Sequence, residues 1–192
     1  MNTITRILAA LTLLFVTACA HTSATKKQDF TEKSGGWPSD YAPHQRQFYV
    51  HNQIEIDAPP EVVWRELIDY ASWTDYYRGA SEVRLEDPTQ KQLAPDSVIR
   101  WKTMGLRFAS SIKEFVPHRS LAWESVNSKI RGYHVWLIIP RGKGSLLVTE
   151  EAQRGWLTFF EKVFQPNKLH GLHDEWLQGI KARAEKLTKQ RG

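Results

Sequence analysis

The side chains best suited to chemistry in this chain are histidines set among carboxylates and aromatic rings. His170-Gly171-Leu172-His173-Asp174-Glu175 places two imidazoles three residues apart, on one face of a helix, which is the beginning of a metal site. The set is incomplete: the spacing is not that of His-Glu-x-x-His, no thiol joins it, and Asp174 and Glu175 can simply be solvated. No metal is therefore expected, and His173, on the apolar stripe of the helix, is expected to border a cavity. His134 stands in the apolar run Tyr133 to Ile139, and Glu151 ends the next one. A histidine beside a carboxylate in an apolar pocket can be tuned toward neutral pH for general acid or base work. The plainer alternative is a satisfied core histidine with a carboxylate at the rim. Gly-x-Ser-x-Gly, P-loop and dinucleotide signatures are missing, so no cofactor is expected.

The remaining reactive group is Cys19, the single cysteine, which excludes any intramolecular disulfide. It follows a secretory signal pattern over residues 1–18, with Arg6 as the positive n-region and Ile7 to Val16 as an apolar stretch too short to span a bilayer. Val16-Thr17-Ala18-Cys19 resembles the lipobox of bacterial lipoproteins. That resemblance implies lipidation of Cys19, membrane attachment through it and, with Ala20 rather than Asp next, the periplasmic face of the outer membrane. Residues 19–46 are polar, rich in Ser, Thr and Lys, with Gly35-Gly36 and Pro38, and are expected to form a flexible tether reaching on the order of 30 Å. Trp37 and Tyr41 are exceptions that can dock on the folded part.

Residues 47–192 suit one domain with one core. Apolar residues make up 41% and charged residues 24% of the 192-residue chain, which excludes both disorder and a multi-span membrane protein. Eight Trp, eight Phe and six Tyr are many for this length and point to aromatic walls around a ligand. The net charge of +5, partly from Lys181, Arg183, Lys186, Lys189 and Arg191, suits a solvated helix face or anionic head groups. No nucleic-acid recognition module is present, and none is expected as a partner.

The elements that must position these side chains follow from periodicity. Phe48, Val50, Ile54 and Ile56 alternate with polar residues, as in a half-buried strand. Ala58-Pro59-Pro60-Glu61 then starts a helix carrying Val63, Trp64, Leu67 and Ile68, and Asp69 to Tyr76 can give a second short one. Strands are expected near Glu82 to Leu85, Val98 to Thr103, Leu106 to Phe115, Leu121 to Ser125, Tyr133 to Ile139 and Ser145 to Glu151, joined by short turns into an antiparallel meander. A helix with Leu169, Leu172, His173, Trp176, Ile180, Ala184 and Leu187 along one face ends the chain.

Ile54-Glu55-Ile56-Asp57-Ala58-Pro59-Pro60-Glu61-Val62-Val63-Trp64, Asp69-Tyr70-Ala71-Ser72-Trp73, Gly132-Tyr133-His134-Val135-Trp136 and Thr149-Glu150-Glu151 resemble the START/polyketide-cyclase (SRPBCC, helix-grip) superfamily over Phe48 to Leu187. The resemblance implies an α+β helix-grip fold: a curved seven-stranded antiparallel sheet wrapped around the long C-terminal helix, with two short helices after the first strand. It also implies an apolar cavity between sheet and helix.

Charged neighbours fix one inward set, Ile99, Trp101, Leu106, Phe108, Ile112, Leu121 and Trp123, because the alternate positions include Arg100, Lys102, Arg107, Lys113 and Glu124. Both faces of Tyr133 to Ile139 are apolar. There the resemblance favours His134, Trp136 and Ile138 inward, opposite Leu147, Thr149 and Glu151. Trp156, Phe159 and Phe160 belong to an apolar segment closed by Pro166, suited either to a lid over the cavity or to a short buried helix.

The expected ligand-binding set is thus Ile99, Trp101, Phe108, Ile112, Trp123, His134, Trp136, Thr149, Glu151, Trp156, Phe160, His173 and Trp176. Three functions fit. The first is a lipid-anchored, monomeric periplasmic protein that binds a hydrophobic or amphipathic small molecule, lipid included, without catalysis. The second is a cyclase or hydratase-like enzyme using His134 and Glu151. The third is an envelope interaction domain whose cavity is only a core.

Overall fold

The computed structural model describes residues 36–42, 48–158 and 167–190. The expected signal segment, Cys19, most of the expected tether, Phe159 and Phe160 lie outside the described residues. Among the described residues, no helix is long and apolar enough to cross a membrane.

The chain forms β1 (Phe48–Ile56), α1 (Pro60–Ile68), a 3-10 turn (Tyr70–Ser72), α2 (Trp73–Tyr76), β2 (Ser81–Leu85), β3 (Val98–Thr103), β4 (Leu106–Val116), β5 (Ser120–Val126), β6 (Arg131–Arg141), β7 (Gly144–Arg154) and α3 (Lys168–Lys189). The strands make one antiparallel sheet in the order β1-β7-β6-β5-β4-β3-β2. This is the α+β helix-grip architecture. Pro60 begins α1 at a position where the missing N–H costs nothing, and Glu61 stands in the first turn, where a negative charge suits the helix dipole.

Helix α3 buries Leu169, His173, Trp176, Leu177, Ile180 and Ala184, at spacings of three and four with one adjacent pair, as a single stripe demands. Polar bonds pin it at both ends. Asn52 Nδ2 on β1 donates to Asp174 Oδ1 at 2.6 Å and to the His170 carbonyl at 3.2 Å. Farther along, Arg183 Nε donates to the buried Glu66 of α1 at 2.7 Å. Gly179 lets Tyr76 lie against the helix: a Cβ there would come within 2.0 Å of the Tyr76 ring.

The core between sheet and helix is filled with indoles. Trp176 lies 4.9 Å from Trp73, 5.0 Å from Trp136, 6.0 Å from Trp101 and 6.1 Å from Trp123, centroid to centroid, and Tyr77 stacks on it at 4.3 Å. Burying rings of this size stabilises the fold by roughly 4 to 6 kcal/mol each before entropy is charged against it.

The second apolar face of β6 and β7 also has a cover. Tyr133, Val135, Leu137, Leu146 and Val148 pack with Tyr41, and Trp37 leans on the same cluster. Tyr41 donates to Glu124 Oε1 at 2.7 Å, and Arg154 reaches Asp40 at 2.6 Å. Burial, the bond to Glu124 and its charge push the Tyr41 phenol up to about 12. Residues 36–42, expected within the tether, are therefore docked on the sheet, with Trp37 and Tyr41 as the contacts.

Candidate functional site

Register brings the site together. In the β6–β7 pairing, His134 faces Glu151 and Trp136 faces Thr149, so these side chains share the inner face of the sheet. Helix α3 crosses that face and lowers His173 onto it.

His134 Nδ1 lies 3.2 Å from Glu151 Oε2, and His173 Nε2 lies 3.3 Å from the same oxygen. On its far side, His134 Nε2 is 2.6 Å from Thr149 Oγ1. Gln153 Nε2 donates to the other oxygen, Glu151 Oε1, at 2.6 Å. Room for this carboxylate depends on Gly132, where a Cβ would sit 3.0 Å from Glu151 Oε1. His134 and His173 are fully buried, whereas Glu151 keeps 15% of its side-chain surface exposed.

Electrostatics follow from that burial. Removal from water pushes the His134 imidazolium down to about 4, against the pull of Glu151 and with the push of His173. The ring is neutral at physiological pH. For Glu151, burial acts to raise the carboxyl, but hydrogen bonds from His134 and His173 outweigh it and hold the group well below the usual carboxylate range. A carboxylate, two imidazoles and a hydroxyl thus make a polar patch on an otherwise aromatic wall. Such a patch can hold the polar end of a ligand or move a proton at His134.

The patch is the floor of a cleft. Trp101, Phe108, Leu106, Met104, Ile130 and Leu169 supply apolar walls, and Tyr77, Thr103, Ser125 and Gln153 add polar edges. One wall is the β3–β4 hairpin, whose two-residue turn uses positive φ at Met104 (50°) and Gly105 (83°), the type I′ geometry that matches strand twist. The walls bound about 510 Å³ of empty space, mouth included.

Of the residues expected to bind ligand, Trp101, Phe108, His134, Glu151, His173 and Trp176 line this cleft. Ile99, Ile112, Trp123, Trp136 and Thr149 are buried on the inner face and are not among the residues that line the cleft. The cause is ring volume: the indoles fill the space that smaller side chains would leave open. Trp156, expected in a lid, is 62% exposed after β7 and contributes no wall among the described residues. His170 is likewise no companion of His173; it is exposed and bonded to Asp174 at 3.2 Å. Sequence reasoning did not single out Tyr77, Met104, Ile130 or Gln153 for the site. No motif marks them, since they arrive from turns and strand ends that only the fold gathers.

The profile of the family described as polyketide cyclase / dehydrase and lipid transport matches residues 47–185. No curated protein matches the chain. Among solved structures, hypothetical protein jhp0584 from Helicobacter pylori is similar with a TM-score of 0.72 at 22% identity, over 77% of this chain and 94% of that one. The di-domain ARO/CYC BexL from the BE-7585A biosynthetic pathway is similar with a TM-score of 0.57 at 20% identity, over 72% of this chain and 50% of that one. Norcoclaurine synthase from Thalictrum flavum, in complex with a transition state analogue, reaches a TM-score of 0.58 at 10% identity, over 73% of this chain and 96% of that one. At these identities the likeness is one of fold. Together with the register, the helix grip and the family match across most of its length, this places the chain in the polyketide cyclase / dehydrase and lipid transport family.

Proposed function

We propose that this protein is a lipid-anchored envelope protein that binds a hydrophobic or amphipathic small molecule in the helix-grip cleft. The observation that carries the reading is the convergence of apolar cleft walls on the floor of His134, Glu151 and His173. A slender chain or ring lying along Phe108, Met104 and Leu169 would place one polar group against that floor, the division of labour found in small-molecule pockets. The ligand occupies the open cleft, because the indole core leaves no space for a bulky lipid behind it. Lipidation of Cys19 and a periplasmic position rest on the lipobox resemblance, and the monomeric state on a single-domain reading of the sequence.

Native mass spectrometry of the full chain, gently extracted from its own envelope in mild detergent, tests the reading. A stoichiometric small molecule, reduced in a Phe108→Asp variant, is expected. A protein that is reproducibly empty and ignores a panel of fatty acids, lysolipids and aromatic acids would overturn it.

One observation favours a second reading. The neutral His134 imidazole lies 3.2 Å from a carboxylate on the floor of an open cleft, as a general base requires. Under this reading the bound molecule is converted rather than only held, and Glu151→Gln lowers turnover while binding persists.

A further inference from the structure

His134, Glu151 and His173 come from two strands and a helix, yet each offers a ligand atom within 4.8 Å of the others. Two of those separations are 3.2 and 3.3 Å, from the imidazole nitrogens to Glu151 Oε2. Ligands held about 2.0 to 2.1 Å from a tetrahedral ion are spaced about 3.3 Å apart. Both distances therefore suit an ion as well as they suit protons.

Thr149 completes the argument on the far side of His134. For Nδ1 to offer a lone pair, Nε2 must carry the proton and donate it, and Thr149 Oγ1 stands ready to accept at 2.6 Å. A hydroxyl accepts or donates as needed, so the same contact serves either tautomer. Metal-bound histidines are oriented by this kind of outer hydrogen bond.

Charge points the same way. Among the described residues, Glu151 has ion-pair contacts only with the two histidines, and neither Lys nor Arg neutralises it. A carboxylate held in an aromatic wall by neutral donors carries a negative charge that a cation would balance. Gln153 lines the same cleft, and its Oε1 is buried without a partner, an acceptor that a metal-bound water would satisfy.

We propose that His134 Nδ1, His173 Nε2 and Glu151 Oε2 form a binding site for one divalent transition-metal ion of the zinc class, open toward the cleft. Two imidazoles and one carboxylate match the ligand preferences of zinc, cobalt and iron in the divalent state, and a three-ligand set leaves positions for water or a ligand's polar group. The site does not depend on a small molecule entering the cleft.

The test uses the full chain in detergent, stripped with a chelator, then titrated with Zn²⁺ by calorimetry and with Co²⁺ by visible absorption. One equivalent is expected at micromolar affinity or tighter, with the intense bands of four- or five-coordinate cobalt. Glu151→Gln, close in shape, and His173→Gln should each weaken binding by about 100-fold or more, while His170→Ala leaves it unchanged. Circular dichroism confirms folding, and if His173→Gln unfolds, Glu151→Gln carries the test. Absence of stoichiometric binding to the wild-type protein overturns the proposal, as does binding that survives Glu151→Gln or is lost in His170→Ala. A protein that takes up metal but no small molecule supports this site and overturns the ligand reading alone.

Discussion

His134 and Thr149 are joined by a 2.6 Å contact between Nε2 and Oγ1, on the side of the imidazole away from Glu151. Both side chains are buried, and because the Glu151 carboxylate can only accept, Nδ1 carries the proton and the Thr149 hydroxyl donates to Nε2. Thr149→Val keeps the shape and removes the partner, stranding a buried nitrogen at a cost of about 1 to 3 kcal/mol. Thr149→Ser should recover most of that loss. Urea unfolding of the three proteins checks the order, and the Nε2 chemical shift of His134 reports the loss of its hydrogen bond in Thr149→Val.

Acid should destabilise the protein in two overlapping windows. The unfolded chain protonates His134 near its ordinary 6.5, whereas in the fold this happens only near 4, so between those values the unfolded state binds the extra proton. Stability is therefore full above about 6.5 and falls on the order of 3 kcal/mol as pH drops to about 4. Glu151, lowered in the fold, continues the loss below the ordinary carboxylate value of 4.5. Unfolding free energy measured from pH 8 to pH 4 should follow this slope, and His134→Gln should flatten its upper part. An unchanged slope in that variant would assign the acid sensitivity elsewhere.

Trp123 tests whether the indole core is what limits the cleft. Its ring is fully buried, 4.7 Å from His134 and 6.1 Å from Trp176 by centroid. Trp123→Ala should cost roughly 3 to 5 kcal/mol and leave a cavity behind the polar floor. Added indole should then raise the melting temperature of the variant and leave the wild-type protein unmoved. If wild type and variant respond alike, the site of indole binding lies elsewhere.

The anchor is tested apart from the domain. If Cys19 is lipidated as proposed, Cys19→Ser should move the protein from the membrane fraction to the soluble fraction, since the acyl chains that would hold it there are lost. Continued sedimentation with membranes, with the domain folded, would remove the lipoprotein reading.

Much of the architecture was legible along the chain. Alternation in Phe48 to Ile56 and in the later strands marked the sheet, Pro60 with Glu61 marked the first helix, and the stripe from Leu169 to Leu187 marked the last. Charged neighbours such as Arg100, Lys102 and Glu124 told the inner faces of β3 and β5 from the outer ones, because a charge resists burial more strongly than an apolar group resists water. In β6 this signal vanished. Its outer face is apolar because Trp37 and Tyr41, far back in the sequence, cover it.

By itself, then, the sequence determined the elements and their order, the resemblance to the helix-grip proteins and the pairing of His134 with Glu151 once that resemblance chose the register. The apolar stripe also turned His173, rather than His170, toward the cavity; only the tertiary structure decided that the crossing of α3 brings its Nε2 to 3.3 Å from Glu151 Oε2, while His170 stays at the surface with Asp174. It also decided that Trp123, Trp136 and Trp176 close the interior to an open cleft rather than line a large cavity. Periodicity records which side of an element is buried. The volume left between elements depends on side chains from several strands and a helix at once, and no local pattern carries that sum.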